Sequence, residues 1–258
     1  MRRKWWASVT GWVCLCVLIP AIAAGQYTAI DPAAATKQIA VVIDDFGNGQ
    51  AGTEQMMELP IPFVAAVMPF LSTTKRDAEW AHKLGKEVIV HLPMEPRNGK
   101  PEWLGPGAIT TRLPDDEIRR RVIAAIEDVP HAVGINNHMG SKATSDERVM
   151  RIVLTVCKER NLYFLDSRTT DKSVIGKLAK EMGVRTAENN LFMDDTYTRS
   201  HILKQAVKLQ KLVRENDSTI VIGHVGPPGK HTSEILKQSI PTLQQLGGHF
   251  VPASQLMK

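Results

Sequence analysis

Residues Ile39 to Gly47 read IAVVIDDFG: five apolar residues, two adjacent aspartates, a phenylalanine and a glycine. An apolar run this short, bounded by turn-forming residues, predicts a strand buried on both faces. Such a strand delivers Asp44 and Asp45 to its carboxyl end, where open and closed α/β folds keep their chemistry. Two readings are open at this point. Either one aspartate caps a following helix and the other is solvated, or the two carboxylates divide the labour, one binding a metal and the other handling a proton.

Working outward, strand-like and helix-like segments alternate to the end of the chain. A helix is expected over Gly49 to Leu59, stopped by Pro60 and Pro62, then a strand over Phe63 to Met68. Thr73 to Leu84 reads as helix with Gly85 as its cap, and Lys86 to His91 as a third strand. The long Pro- and Gly-rich stretch from Leu92 to Pro114 carries Trp103 and is expected to wall a binding cleft, with the indole stacking on a sugar ring or packing locally. Asp115 is the expected N-cap of the next helix, followed by a strand over Ala132 to Asn136. A capping box at Thr144-Ser145-Asp146-Glu147 opens another helix, and Leu162 to Asp166 forms a fifth strand. Val174 to Met182, Val184 to Ala187, Ile202 to Val213, Thr219 to Ile222, Leu236 to Leu246 and Phe250-Val251 continue the alternation. Seven or eight such units imply an α/β fold with a mostly parallel sheet, in a barrel or near-closed barrel forming a single domain from 39 to 258.

The first residues stand apart from that domain. Arg2, Arg3 and Lys4 precede an apolar run from Val9 to Ile22 and the small residues Ala21 to Gly25, the pattern of a secretory signal peptide over 1–24 with a linker over 25–38. The rival is an uncleaved anchor, but the run falls short of the roughly 20 residues a span requires. Export, to the periplasm, without a stable membrane span after cleavage is therefore the expectation. Removing the three basic residues lowers the formal charge from +5 to about +2 and leaves no clustered basic surface for nucleic acid. Cys157 alone survives cleavage and is expected as a small buried hydrophobe.

The strand ends collect the polar residues: Asp44 and Asp45, His91, His138, Asp166 with Arg168, and His224. In a barrel these would share one mouth. The other five histidines, at 82, 131, 201, 231 and 249, fall on helices, at helix starts or near the chain end. An aspartate with two histidines suits zinc or another divalent metal that activates water, with a second carboxylate as base and a further histidine as acid. The pattern predicts metal-assisted hydrolysis.

IDDFG, HLPMEP, INNHMGS, FLDSRTT and the terminal IGH together resemble the divergent polysaccharide deacetylase family, a distant branch of the NodB-homology carbohydrate esterases. The resemblance runs from Ile39 to the C-terminus. It implies a deformed (β/α) barrel, a divalent metal, and removal of acetyl groups from N-acetylated sugars. Carried over by position, it makes Asp44 the base, Asp45 and His91 metal ligands, and His224 the general acid. The family's second histidine stands four residues after the first, and here that position is Glu95. His138 is expected to supply the missing imidazole, with Glu95, like Asp166, as a supporting or alternative group. The family's arginine motif is absent from the fourth strand, and Arg168 is the expected substitute, pairing with a carboxylate. Three functions follow as alternatives: a deacetylase acting on an envelope glycan such as peptidoglycan, a glycan-binding protein without chemistry, or a metallohydrolase acting on another bond such as an ester.

Overall fold

The computed structural model describes residues 37–258 together with Met1. The signal segment and nearly all of the linker lie outside the described residues; Lys37 and Gln38 belong to the first strand. The strands are β1 (Lys37–Phe46), β2 (Val64–Val67), β3 (Glu87–Met94), β4 (Ala132–Met139), β5 (Tyr163–Asp166), β6 (Thr186–Glu188), β7 (Leu191–Phe192), β8 (Ser218–His224) and β9 (Gly248–Phe250). Between them run α1 (Thr53–Met57), α2 (Thr74–Lys83), α3 (Asp115–Asp128), α4 (Glu147–Glu159), α5 (Ile175–Met182), α6 (Arg199–Glu215) and α7 (Gly229–Gln245). Among the described residues no helix is long and apolar enough to cross a membrane.

The strands form one sheet in the order β6-β5-β4-β3-β2-β1-β8-β7, with β9 beside the start of β1, and every ladder is parallel. The ends of that sheet meet in one run of chain. Thr186–Glu188 pairs with β5, and three residues later Leu191–Phe192 pairs with β8. The amide of Asn189 still donates to Asp166 O, whereas that of Asn190 donates to Ile220 O. This is the expected deformed (β/α) barrel, drawn together where one strand changes partner.

Strand alternation sorts the apolar side chains into two layers. Ile39, Val41, Ile43, Ala65, Val67 and Phe164 pack towards the helices. Ala40, Val42, Val64, Ala66, Ile89, Tyr163, Leu165, Ile220 and Ile222 fill the barrel interior. Gly134 on β4 leaves room for Tyr163, since a Cβ there would lie 2.5 Å from its ring, and the tyrosine hydroxyl donates to Glu87 Oε1 at 2.8 Å. Cys157 is buried in the helix-side layer as a free thiol, and burial pushes it up to about 12.

Several local expectations are corrected. The cap of α4 is Asp146, which accepts from Val149 N, while the Thr144 hydroxyl bonds back to Gly140 O in a preceding 3-10 turn. Pro114 precedes α3, so Asp115 lies within its first turn. Helix α7 begins at Gly229 rather than Leu236, and β7 is an additional strand whose two residues carry no period to announce it. Strands β3 and β4 run three residues past His91 and Asn136.

The loop after β1 is clamped to the loop after β8. Gly226 N donates to Ala51 O at 2.8 Å, and a Cβ on Gly229 would lie 2.3 Å from the same oxygen. That contact sets the end of β1 against the end of β8. Gly229→Ala must therefore push the two loops apart, and a loss of about 1–3 kcal/mol is expected in urea unfolding; an unchanged midpoint would show that the clamp carries no weight.

Candidate active site

At the carboxyl end of β1, Asp44 keeps the phase of Ala40 and Val42 and points into the barrel mouth. Regular alternation would turn Asp45 the other way. It does not, because the pairing with β2 slips between Ile43 and Phe46 and Asp45 takes a left-handed φ of 70°. Aspartate is among the few side chains that accept this conformation readily.

His91, Asn136, His138 and His224 share the interior phase of their strands, and His91 lies directly across the ladder from Asn136. Asp45 Oδ1 stands 3.2 Å from His91 Nε2 and 3.0 Å from His138 Nδ1, and the two nitrogens are 3.1 Å apart. The far nitrogen of His138 faces the carbonyl oxygen of Trp103 at 3.0 Å, which turns Nδ1 bare towards the cluster. Asp45 Oδ1 is buried without a hydrogen-bond donor of proper geometry. Three such atoms on one triangle fit a divalent metal, since tetrahedral ligands at about 2.0–2.1 Å stand about 3.3 Å apart.

Asp44 sits beside this triangle. Its Oδ1 accepts from Asn136 Nδ2 at 2.8 Å, and its Oδ2 lies 3.7 Å from His91 Nε2 and 4.0 Å from His224 Nε2. The ring of His224 is held from behind by Asp194, whose Oδ1 meets Nδ1 at 2.7 Å and whose Oδ2 accepts from His224 N and Thr232 Oγ1. Phe192 stacks on that ring, with centroids 5.9 Å apart.

The neighbouring carboxylates are driven in opposite directions. Burial raises Asp44, outweighing His91 and His224. Burial also acts on Asp45, but His138 and His91 outweigh it and hold that carboxyl well below its ordinary range. Burial would lower His224, yet Asp194, helped by Asp45 and Asp44, outweighs it and pushes the imidazole up to about 10.

Three sequence-predicted residues do not join this group. Arg168 reaches Glu188 on β6 at 3.5 Å and makes no pair with Asp44. Asp166 has the phase of Phe164, which packs towards the helices; its oxygens accept from Arg168 N and Ser173 Oγ and so hold a turn. Glu95 accepts from Thr111 N and Oγ1 and from Lys142 Nζ, each at 2.7 Å. It follows His91 along a strand that continues to Met94, which carries it about 13 Å away. Asn136 and Asp194 are the residues sequence reasoning missed. Asn136 carries no signal beyond its place at a strand end, whereas the Asp194-Asp195 pair after a short apolar run is a signal like that of Asp44-Asp45.

The cleft over these residues measures about 740 Å³, with Trp103 and Tyr197 on its walls. Both aromatic side chains are more than half exposed.

Comparison with known proteins places this geometry. YibQ, an uncharacterized protein of Escherichia coli K12, is 37% identical over 206 residues, covering 80% of this chain and 63% of the relative. The match thus spans less than two thirds of that relative's length. A Haemophilus influenzae Rd protein is 32% identical over 211 residues, covering 82% of this chain and 74% of its own. Among solved structures, ATU2773 from Agrobacterium tumefaciens C58 shares the fold with a TM-score of 0.79 at 19% identity, over 86% of this chain and 89% of that one. The Xyl-CE4 domain of a multidomain xylanase from the hindgut metagenome of Trinervitermes trinervoides gives 0.53 at 13% identity, over 86% and 89%. The model of divergent polysaccharide deacetylases matches residues 41–257, and the chain belongs to that family.

Proposed function

We propose that this protein is an exported, metal-dependent hydrolase that removes N-acetyl groups from an envelope polysaccharide. The observation that carries the reading is the juxtaposition in one cleft of a three-donor triangle, a separate carboxylate and an imidazole backed by its own aspartate. A protein that only bound glycan would need neither Asp44 nor His224 placed beside such a triangle.

Asp45, His91 and His138 would hold the metal, zinc being the expectation. When bound, such an ion supplies Lewis acidity towards an acyl oxygen and water. The remaining chemistry belongs to side chains. Asp44, fixed by Asn136, takes the proton of the attacking water. As the acyl carbon gains its new oxygen and the carbon–nitrogen bond breaks, His224 Nε2 gives a proton to the departing nitrogen, and Asp194 stabilises the imidazolium beforehand. The products are acetate and a free sugar amine. Trp103 and Tyr197 offer flat apolar faces to sugar rings on either wall.

Metal content of the purified protein and acetate release from N-acetylglucosamine oligomers test this reading. One equivalent of zinc is expected, lost in Asp45→Ala and His138→Ala and retained in Glu95→Ala. Asp44→Asn should keep the metal while turnover falls about 10²–10⁴-fold. Bound metal without acetate release from any acetylated glycan would sink the deacetylase reading, and release from an O-acetyl ester alone would favour the ester hydrolase.

The acid role of His224 has a signed pH dependence. A general acid works only while protonated, so with Asp194 holding the imidazole above its ordinary value the alkaline decline of kcat falls above the usual imidazole range. Asp194→Asn removes the charge that raises it, and the alkaline limb should move towards neutrality. A limb that stays in place in Asp194→Asn would exclude His224 as the acid.

A further inference from the structure

Asn136 is fully buried, and both ends of its amide are engaged. One end meets His91 Nδ1 at 2.7 Å and the other meets Asp44 Oδ1 at 2.8 Å, spanning the mouth from β4 to β1 while β2 and β3 lie between them in the sheet. An ionised carboxylate only accepts hydrogen bonds, so the group facing Asp44 is the amide NH₂. The oxygen of Asn136 therefore faces His91, and an amide oxygen also only accepts. His91 Nδ1 must then carry a proton, so that in the neutral ring it is Nε2 that turns a lone pair towards Asp45 and His138.

We propose that Asn136 is a positioning residue that serves the metal ligand and the base at once: its oxygen fixes the tautomer and plane of His91, and its NH₂ fixes the rotamer of Asp44. The turnover consequence rests on the deacetylase reading; the metal-binding consequence does not. A neutral amide suits the place because it turns a donor to the carboxylate of Asp44 and an acceptor to the imidazole of His91 without adding a charge. A carboxylate there would keep the acceptor for His91 and repel Asp44. An alkyl side chain would leave both partners unpaired in a buried site. Loss of a hydrogen bond behind a ligating histidine commonly weakens metal binding about 10–100-fold.

Two variants separate the halves of this role. Asn136→Asp should bind zinc within about threefold of the wild type and lose acetate release, since His91 keeps its acceptor while Asp44 loses its donor. Asn136→Ala should lose about 10–100-fold in zinc affinity, measured by competition with a chelating dye, and lose turnover as well. Equal loss of zinc in both variants, or wild-type affinity in a folded Asn136→Ala, would overturn the assignment. Long-range ¹H–¹⁵N spectra of the histidine-labelled wild type test it without any variant. They should show His91 Nδ1 protonated with or without zinc, and a bare Nδ1 with a protonated Nε2 would overturn it. Failure of the wild type to take up zinc would instead strike the metal-site reading and leave the spectrum to decide on Asn136.

Discussion

A regular strand cannot aim two consecutive side chains at the same cleft, and the site depends on how β1 escapes that constraint. Asp44 is in phase with the barrel interior, so its placement follows from the pleat. Asp45 reaches the same mouth only because the chain gains a residue relative to β2 and passes through a left-handed conformation. That conformation costs roughly 1 kcal/mol in an L-residue. The neighbouring ladders offset the cost: β1 stays paired with β8 through Asp44, and Met68 N closes onto Phe46 O beyond the slip. Two carboxylates are thus brought onto one face by a rigid sheet, with no flexible loop required.

Once together, they differ by their surroundings. Asp45 lies within 3.2 Å of two imidazole nitrogens, close enough to overcome its burial. Asp44 has an amide at 2.8 Å and imidazoles at 3.7 and 4.0 Å, too distant to do so. Opposed shifts on adjacent groups separate a carboxylate held ionised from one that keeps its proton more readily. Asp194 acts in the same way on His224, supplying from a buried position the charge that the open cleft cannot.

The barrel and most of this constellation were legible because apolar runs and strand ends are local features. Ile39 to Ile43 announces a buried strand, and the rule that barrel strands open at one mouth gathers His91, His138 and His224 from distant stretches. Asp166 shows the limit of that rule. A strand end fixes height in the barrel, but phase decides between interior and helix side, and Phe164 sets Asp166 on the wrong one. Arg168 was misplaced for a related reason: the turn that Asp166 holds points it to Glu188. Asp194 carries the same signal, an aspartate pair after an apolar run, but in a weaker form, because the strand that delivers it is two residues long and is fixed by pairing with β8.

Glu95 lies outside the triangle yet still serves the site. An i+4 ligand needs a chain that curls back, whereas β3 stays extended to Met94 and carries Glu95 beyond reach. There its carboxylate gathers Thr111 and Lys142, its amide donates to Ile109 O, and its carbonyl accepts from Lys142 N and Ala143 N. These bonds anchor both ends of the segment that crosses the cleft and presents Trp103 O to His138. Glu95 thus fastens the loop whose carbonyl faces His138. The straight strand that carries Glu95 away from His91 also sets β4 beside it, with Pro93 opposite His138, so one and the same extension removes the i+4 position and brings a second imidazole to the triangle.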